Sequence, residues 1–361
     1  MRLLLVIYGS IEQQSGGYRY DGRLVEYLRN RGHELNIFSQ QSGSYPMRLL
    51  RDRPGRLISQ VETFRPDIIL EDELNHPSLV RTNRAVRRAA GPPIVTIVHH
   101  LNSDETHRVP ASQFMKMVER RYLRTVDGAI YNTPATQNAV ATLLGRPLEG
   151  VVCLPSVDGL PGAGADIARE VPRARTYDGG MLRLLTVGSL TRRKRMDAVI
   201  TAVARAGDPH ITLTIAGDDR VEPATARALR RLSVRLGVDR QVSFAGSLDA
   251  RALDNAYREH DLFVLPSQHE GFGMVYLEAM ARAMPVIATS SGGAAAIVRS
   301  GVNGYLCAPG AAGEVAARIV SLRKDPARLA ELAGGALRTA SAHPSWDESF
   351  SAGERFLQRL V

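Results

Sequence analysis

Glu270 and Glu278 bracket a glycine-rich turn, His269-Glu270-Gly271-Phe272-Gly273-Met274-Val275-Tyr276-Leu277-Glu278, directly after the apolar run Leu262-Phe263-Val264-Leu265 and Pro266-Ser267. A strand that ends there and a helix that opens near Gly273 would present unpaired backbone N–H groups and a positive dipole end, which suits an anion. Glu270 precedes that helix, and Glu278 lies about 7 Å further along it at about 1.5 Å per residue. Carboxylates do not bind phosphate, but they accept hydrogen bonds from sugar hydroxyls well. Phosphate at the helix start with a polyol on either side describes a nucleotide-diphosphate sugar. In this reading Glu270 holds the transferred sugar, Glu278 holds the ribose, and Phe272, Gly273, Met274 and Leu277 complete the donor side.

Other groups fit the same chemistry. Arg192, Arg193, Lys194 and Arg195 follow the run Leu185-Thr186-Val187-Gly188-Ser189. Cations there would offset the charge that builds on a departing diphosphate, and an arginine fork can grip phosphate oxygens in a bidentate way. Arg192 and Arg195 read as solvated surface charges. Ser15-Gly16-Gly17 follows the first apolar run, and adjacent glycines let a bulky anion approach the backbone closely. The spacing from Gly9 is not Gly-x-Gly-x-x-Gly, so a dinucleotide-dependent oxidoreductase is disfavoured. His99 and His100 follow Ile94–Val98, at a strand's carboxyl end. Glu71-Asp72-Glu73 follows Asp67–Leu70; it reads equally as a set of acceptors for hydroxyls and as an exposed acidic turn. With Asp104, Glu105 and His107 the histidine pair hints at a metal, but no helical His-x3-His or cysteine partner supports one, and no metal site is expected.

These groups need elements to place them. Short apolar runs at 2–8, 34–39, 67–70, 93–98, 128–131 and 151–154 alternate with helical patterns near 18–31, 47–64, 77–90, 111–125 and 134–144. A second alternation runs through 182–187, 211–216, 241–244, 261–265 and 285–288. Such alternation predicts doubly wound parallel sheets, whose ligands bind beyond the carboxyl ends of the strands. The proline- and glycine-rich stretch 155–180 reads as the interdomain connection. At 361 residues and 44% hydrophobic content the chain has material for two cores, and a content of 23% charged and 6% aromatic residues fits a globular enzyme. No run of eighteen apolar residues is present. Two isolated cysteines, Cys153 and Cys307, give no disulfide framework and make a reducing cytoplasm the default. A formal charge of +9 favours anionic partners. Nucleic acid ranks last, because no basic run is interleaved with aromatics. Residues 47–61 mix Met47, Leu50, Leu57, Ile58 and Val61 with four arginines, a pattern compatible with peripheral contact at the inner face of a membrane, although Pro54-Gly55 interrupts it and a plain surface helix fits better.

The Glu-x7-Glu arrangement with Gly-Phe-Gly inside it resembles the signature of the retaining GT-B glycosyltransferases of family 4 (glycosyltransferases group 1). Ala283-Met284-Pro285-Val286-Ile287-Ala288, Gly292-Gly293 and Gly301-Val302-Asn303-Gly304-Tyr305-Leu306 follow in that family's order. The resemblance implies an α/β GT-B fold, with two Rossmann-like doubly wound domains facing a central cleft. They would span 1–170 on the acceptor side and 171–344 on the nucleotide-sugar side, with a helix over 345–361 packing back on the first. It implies sugar transfer from a nucleotide-diphosphate sugar to an acceptor hydroxyl (a glycan, a lipid-linked molecule or a small molecule), with retention and without cofactor or metal. His99 matches the family's histidine near the reacting sugar, with His100 as its competitor. Gly16 and Gly17 fall to the diphosphate, Gly246 and Ser247 to the base, and Glu71, Asp72 and Glu73 to the acceptor side. Lys194 matches the family's phosphate lysine, whereas Ser189 stands where arginine is usual, leaving Arg193 to take that role. A GT-B sugar-nucleotide epimerase and a non-catalytic nucleotide-sugar-binding protein remain alternatives.

Overall fold

The computed structural model describes residues 1–13, 15–104, 109–158 and 179–361. Most of the expected connection, the expected boundary at 170, and Glu105 and His107 lie outside them. The chain forms two compact units, one of Met1–Pro155 with Pro344–Val361 and the other of Ser156–His343.

In the first unit β1 (Arg2–Tyr8), α1 (Gly16–Asn30), β2 (Glu34–Gln40), α2 (Tyr45–Leu50), α3 (Pro54–Phe64) and β3 (Ile68–Asp72) lead through a 3-10 segment, Glu73–Ser78, to α4 (Val80–Arg88). Then come β4 (Ile94–Val98), α5 (Val109–Leu123), β5 (Gly128–Tyr131), α6 (Pro134–Leu144) and β6 (Gly150–Val152). The strands form one parallel sheet in the order β2-β1-β3-β4-β5-β6. Strands β3, β4 and β5 are buried throughout, as parallel strands covered on both faces must be. The single helix expected over 47–64 is two helices. Proline has no N–H to donate and its ring clashes with the preceding turn, so α2 stops and Pro54 opens α3, where a missing N–H costs nothing.

The second unit contains β7 (Leu182–Val187), α7 (Met196–Ala206), β8 (Ile211–Ala216), α8 (Pro223–Arg235), β9 (Val242–Gly246), α9 (Ala250–Glu259), β10 (Leu262–Leu265) and α10 (Met274–Met280). It continues with β11 (Val286–Thr289), β12 (Gly304–Cys307), α11 (Ala312–Lys324) and α12 (Pro326–Ser341). Its sheet is also parallel, in the order β12-β11-β10-β7-β8-β9. The four-residue β12 has no counterpart among the runs read as strands. It pairs along β11 because Gly304 has no side chain; a Cβ there would lie 2.1 Å from the Val286 carbonyl oxygen.

The last helix, α13 (Trp346–Gln358), returns to the first unit and completes its core. Phe350 and Trp346 stack at 5.1 Å, and both meet the Tyr20 ring edge-on. Phe356 lies against Gly128, where a Cβ would come within 2.6 Å of its ring. The strand order reverses direction between β1 and β3 in the first sheet and between β7 and β10 in the second. Those switch points are where open α/β sheets leave room for a ligand.

Candidate active site

In the second unit the basic loop leaves β7 and the glutamate loop leaves β10, and these two strands are neighbours. The loops are tied together. Gln268 N donates to the Arg193 carbonyl at 2.7 Å, and the Arg193 guanidinium donates to the His269 carbonyl at 2.9 Å. Lys194 Nζ reaches Glu270 Oε1 at 2.8 Å, with Arg193 Nη1 3.8 Å from the same oxygen. Burial alone would raise the Glu270 carboxyl, but Lys194 and Arg193 outweigh it and hold it down at about 2. Burial lowers the Lys194 ammonium, and the Glu270 charge opposes that shift. The short contact and the depressed carboxyl together describe an ion pair, already assembled between groups assigned to sugar and phosphate.

Backbone geometry fixes Glu270 from behind. Its carbonyl accepts from Gly293 N at 2.7 Å, and it forms a parallel bridge with Gly292. Gly292 has φ +87, and a Cβ there would lie 2.0 Å from the Glu270 carbonyl oxygen, so only glycine fits. Gly273, at φ +85, starts α10 with no side chain capping it.

Glu278 is buried on α10. Tyr257 OH on α9 donates to Glu278 Oε2 at 2.8 Å. Behind them Arg282 lies 5.8 Å from the Tyr257 ring centroid and is held by Asp254 at 2.7 and 2.9 Å. Tyr257 escaped the sequence reading, since nothing in its local sequence separates it from a core tyrosine. Tyr257→Phe should weaken nucleoside diphosphate binding about ten-fold, as expected for loss of a hydrogen bond to a charged group, while kcat stays within about two-fold. Calorimetry with the diphosphate and steady-state kinetics check both; an unchanged affinity would leave Tyr257 with packing alone.

Not every donor-side residue converges. Leu277 is fully buried and faces the core, and the Phe272 ring packs 5.8 Å from His343. Met274 is half-buried. Gly246 ends β9, the sheet's edge strand, and the exposed Ser247 follows it. Ser189 is half-buried, and its neighbour Leu190 is fastened to the Asp218 carbonyl. Arg192 points to solvent, and Arg195 pairs with Asp197 at 3.1 Å.

In the first unit Gly17 sits against His99; a Cβ there would lie 3.1 Å from the imidazole. His99 Nε2 lies 3.0 Å from Asp21 Oδ1 one turn along α1, and Tyr20 meets the imidazole edge-on at 5.2 Å. Asp21 too was missed, although it stands four positions after Gly17, one helical turn on. Asp72 joins this pair, and the buried Oδ2 atoms of Asp21 and Asp72 have no hydrogen-bond partner. The acidic triplet is not an exposed turn: all three residues are buried. Glu71 turns away to accept from Asn83 at 2.9 Å, while Glu73 belongs to a second cluster with His76 and Glu119. His100 is half-buried outside both clusters.

Each cluster brings three ligand atoms within 4.8 Å of one another and could in principle hold a metal. The first fits one poorly. Burial would lower the His99 imidazole, but Asp21 outweighs burial and raises it to about 9, so the ring is protonated at neutral pH. In the second, His76 is lowered to about 4 by burial, and its nitrogens are occupied by the Glu73 carbonyl at 3.0 Å and Tyr45 OH at 2.9 Å.

Burial pushes Glu71 up to about 8, burial and the Asp21 charge push Asp72 up to about 7, and burial with Glu73 pushes Glu119 up to about 7. These acids bind protons more tightly folded than unfolded, so they withdraw stability as pH rises from about 4 to about 8. His99 acts in the same direction: its contribution is full below about 6.5 and is lost as pH rises through about 9. His76 opposes them only below about 6.5. The thermal midpoint should therefore be several degrees higher near neutrality than at the alkaline end of this window, and Glu71→Gln should flatten the slope. A midpoint that rises across the window would contradict the buried acids.

The fold is shared with solved structures. Sucrose-phosphate synthase (tll1590) from Thermosynechococcus elongatus superposes with a TM-score of 0.81 at 20% identity, covering 99% of this chain and 98% of that one. Anabaena Alr3699/HepE, solved with UDP and glucose, gives 0.73 at 22% identity over 99% and 98%. Two doubly wound parallel sheets, each with charged loops at its switch point, make up the GT-B fold. A sequence profile described as "Glycosyl transferases group 1" matches residues 170–336, and one described as "Glycosyltransferase Family 4" matches residues 15–156. The chain belongs to the group 1 glycosyl transferases. A D-inositol 3-phosphate glycosyltransferase 1 from Catenulispora acidiphila is 30% identical over 287 residues, 74% of this chain and 67% of that protein. A glycogen synthase from Mycobacterium tuberculosis is 28% identical over 291 residues, 79% of this chain and 66% of that protein.

Proposed function

We propose that this glycosyltransferase moves a sugar from a nucleotide-diphosphate sugar to an acceptor hydroxyl with retention at the anomeric carbon and without a metal, in the cytoplasm. The Lys194–Glu270 pair with Arg193 beside it is the observation that carries this reading. In the proposed reaction the bond between the anomeric carbon and the diphosphate oxygen breaks, and its electron pair leaves with the diphosphate. Lys194 and Arg193 offset that charge. The acceptor oxygen bonds to the anomeric carbon from the face the diphosphate leaves, and the acceptor's proton passes to a departing phosphate oxygen. Glu270 accepts hydrogen bonds from the sugar's hydroxyls, and in the first unit the His99 imidazolium, fixed by Asp21, is a donor suited to a ligand oxygen. The unpartnered Oδ2 of Asp72 is suited to accept from a ligand hydroxyl.

A thermal-shift screen of UDP-, GDP- and dTDP-sugars, led by UDP-sugars because Alr3699/HepE was solved with UDP, identifies the donor. Hydrolysis of that donor without acceptor then separates a transferase from a binding protein. Turnover should survive exhaustive EDTA treatment and should not rise several-fold with Mg²⁺ or Mn²⁺, because cationic side chains occupy the role a metal would fill. Loss of turnover in EDTA, restored by one metal, would mean that a carboxylate–histidine cluster of the first unit binds it.

A further inference from the structure

Four large hydrophobic side chains of the first unit's helices stand out in solvent, and all four lie on α2 and α5. Met47 is 47% exposed, Leu50 76%, Phe114 46% and Met117 41%. Scattered exposed apolar residues are ordinary, but a concentration on two adjoining helices is not. The helices adjoin where Tyr45, on α2, meets Phe114, on α5, edge-on at 6.5 Å. On α5, Phe114, Met117 and Arg121 recur at spacings of three and four, which places them along one side of the helix, and Arg124 follows directly after its last residue.

The charges around them have one sign. Arg53, Lys116, Arg120, Arg121 and Arg124 are exposed, and none forms an ion pair among the described residues. Both acids in 41–61 and 111–124 are turned inward. Asp52 caps α4 by accepting from Arg81 N at 2.6 Å and Thr82 N at 2.9 Å, and Glu119 accepts from Ser103 N at 3.1 Å. An apolar stripe rimmed by cations, with no exposed acid among the described residues of 41–61 and 111–124, complements a layer that is apolar inside and anionic at its surface. Among the described residues no helix is long and apolar enough to cross a membrane, so the contact would be superficial. The patch also adjoins the segment after β3: Tyr45 OH bonds His76.

We propose that the face formed by α2 and α5 docks on an anionic lipid bilayer, with Met47, Leu50, Phe114 and Met117 entering the headgroup layer and Arg53, Lys116, Arg120, Arg121 and Arg124 meeting lipid phosphates. None of these residues has a role in the transfer reaction proposed above. Its test is co-sedimentation of the full chain with vesicles of phosphatidylglycerol and phosphatidylcholine in equal parts, against pure phosphatidylcholine. Binding should require the anionic lipid and weaken with salt. Arg121→Gln and Arg124→Gln should each reduce partitioning about five-fold, the equivalent of about 1 kcal/mol per basic residue. The combination of Met47→Ser, Leu50→Ser, Phe114→Ser and Met117→Ser should abolish it, with the thermal midpoint and nucleoside diphosphate affinity unchanged. Equal binding to both vesicle types, or retention of binding by the fourfold variant, would overturn the proposal. So would loss, in that variant, of a concentration-dependent dimer seen by light scattering without vesicle binding, since the patch would then face a second copy. Donor hydrolysis measured on the same variant keeps a failure here distinct from a failure of the transferase reading.

Discussion

Glu270→Gln is expected to lower kcat by on the order of 10²–10³-fold, the scale for losing one preorganised group at a reacting centre, while free nucleoside diphosphate binds as well as before or more tightly. The two halves of that result have one cause. Lys194 Nζ lies 2.8 Å from Glu270 Oε1. Glutamine keeps the shape and an acceptor oxygen but removes the charge that competes with phosphate for the lysine. A carboxylate that merely shaped the loop would lose diphosphate affinity along with turnover. A raised KM with kcat intact would sink the assignment of Glu270 to the sugar, because it would mark uniform binding lost rather than transition-state stabilisation. Alanine is the harsher change, since it strands a buried ammonium beside Arg193.

Lys194→Ala should slow transfer by a comparable 10²–10³-fold, about the loss seen when one donor to developing charge is removed. Here diphosphate affinity should fall as well, the opposite of the glutamate variant. Arg193→Ala should cost a similar factor. Arg193→Lys separates charge from geometry, because lysine keeps the cation but lacks the planar fork that also spans to the His269 carbonyl. Arg192→Ala and Arg195→Ala should change little: one side chain is exposed and the other is occupied by Asp197, and exposed charges contribute within about 1 kcal/mol. Calorimetry on the five variants decides the matter. Equal losses at Arg192, Arg193 and Arg195 would describe a diffuse basic surface and not a phosphate loop.

The parts of this molecule that the sequence made legible are those with a strong local period. Alternating buried strands and helices made both sheets legible apart from β12, and the Pro266–Gly273 turn the start of α10, because a buried parallel strand has no polar face to confuse it with and glycine punctuates the turn. Pairings between distant segments were not legible. Nothing near Tyr257 announces Glu278, and nothing in Glu71-Asp72-Glu73 says that its three carboxyls part company, one into the core, one toward His99 and one toward His76. Alternation alone would send Glu71 and Glu73 to one face and Asp72 to the other, but Glu73 leaves the strand for the 3-10 segment. The mutual commitment of Lys194 and Glu270 was equally hidden. Their local sequences point one to a phosphate and the other to a sugar, and 76 residues separate them; their meeting follows only from β7 and β10 being neighbours.

Helix α13 has a consequence for how the protein is born. The sheet of the first unit is encoded almost entirely before Pro155, yet the rings that close its core against Tyr20, and the Ser349 hydroxyl that bonds the Leu154 carbonyl at 2.7 Å, come from the last eighteen residues. A ribosome delivers chain from the N-terminus at about 5–20 residues per second. The half made first therefore waits, with the Tyr20 side of α1 uncovered, while the whole of Ser156–His343 is synthesised. Unit two, contiguous in sequence, can close as it emerges. The first-born half is the last to finish, and its unfinished apolar face is exposed to chaperones and proteases for the longest part of synthesis.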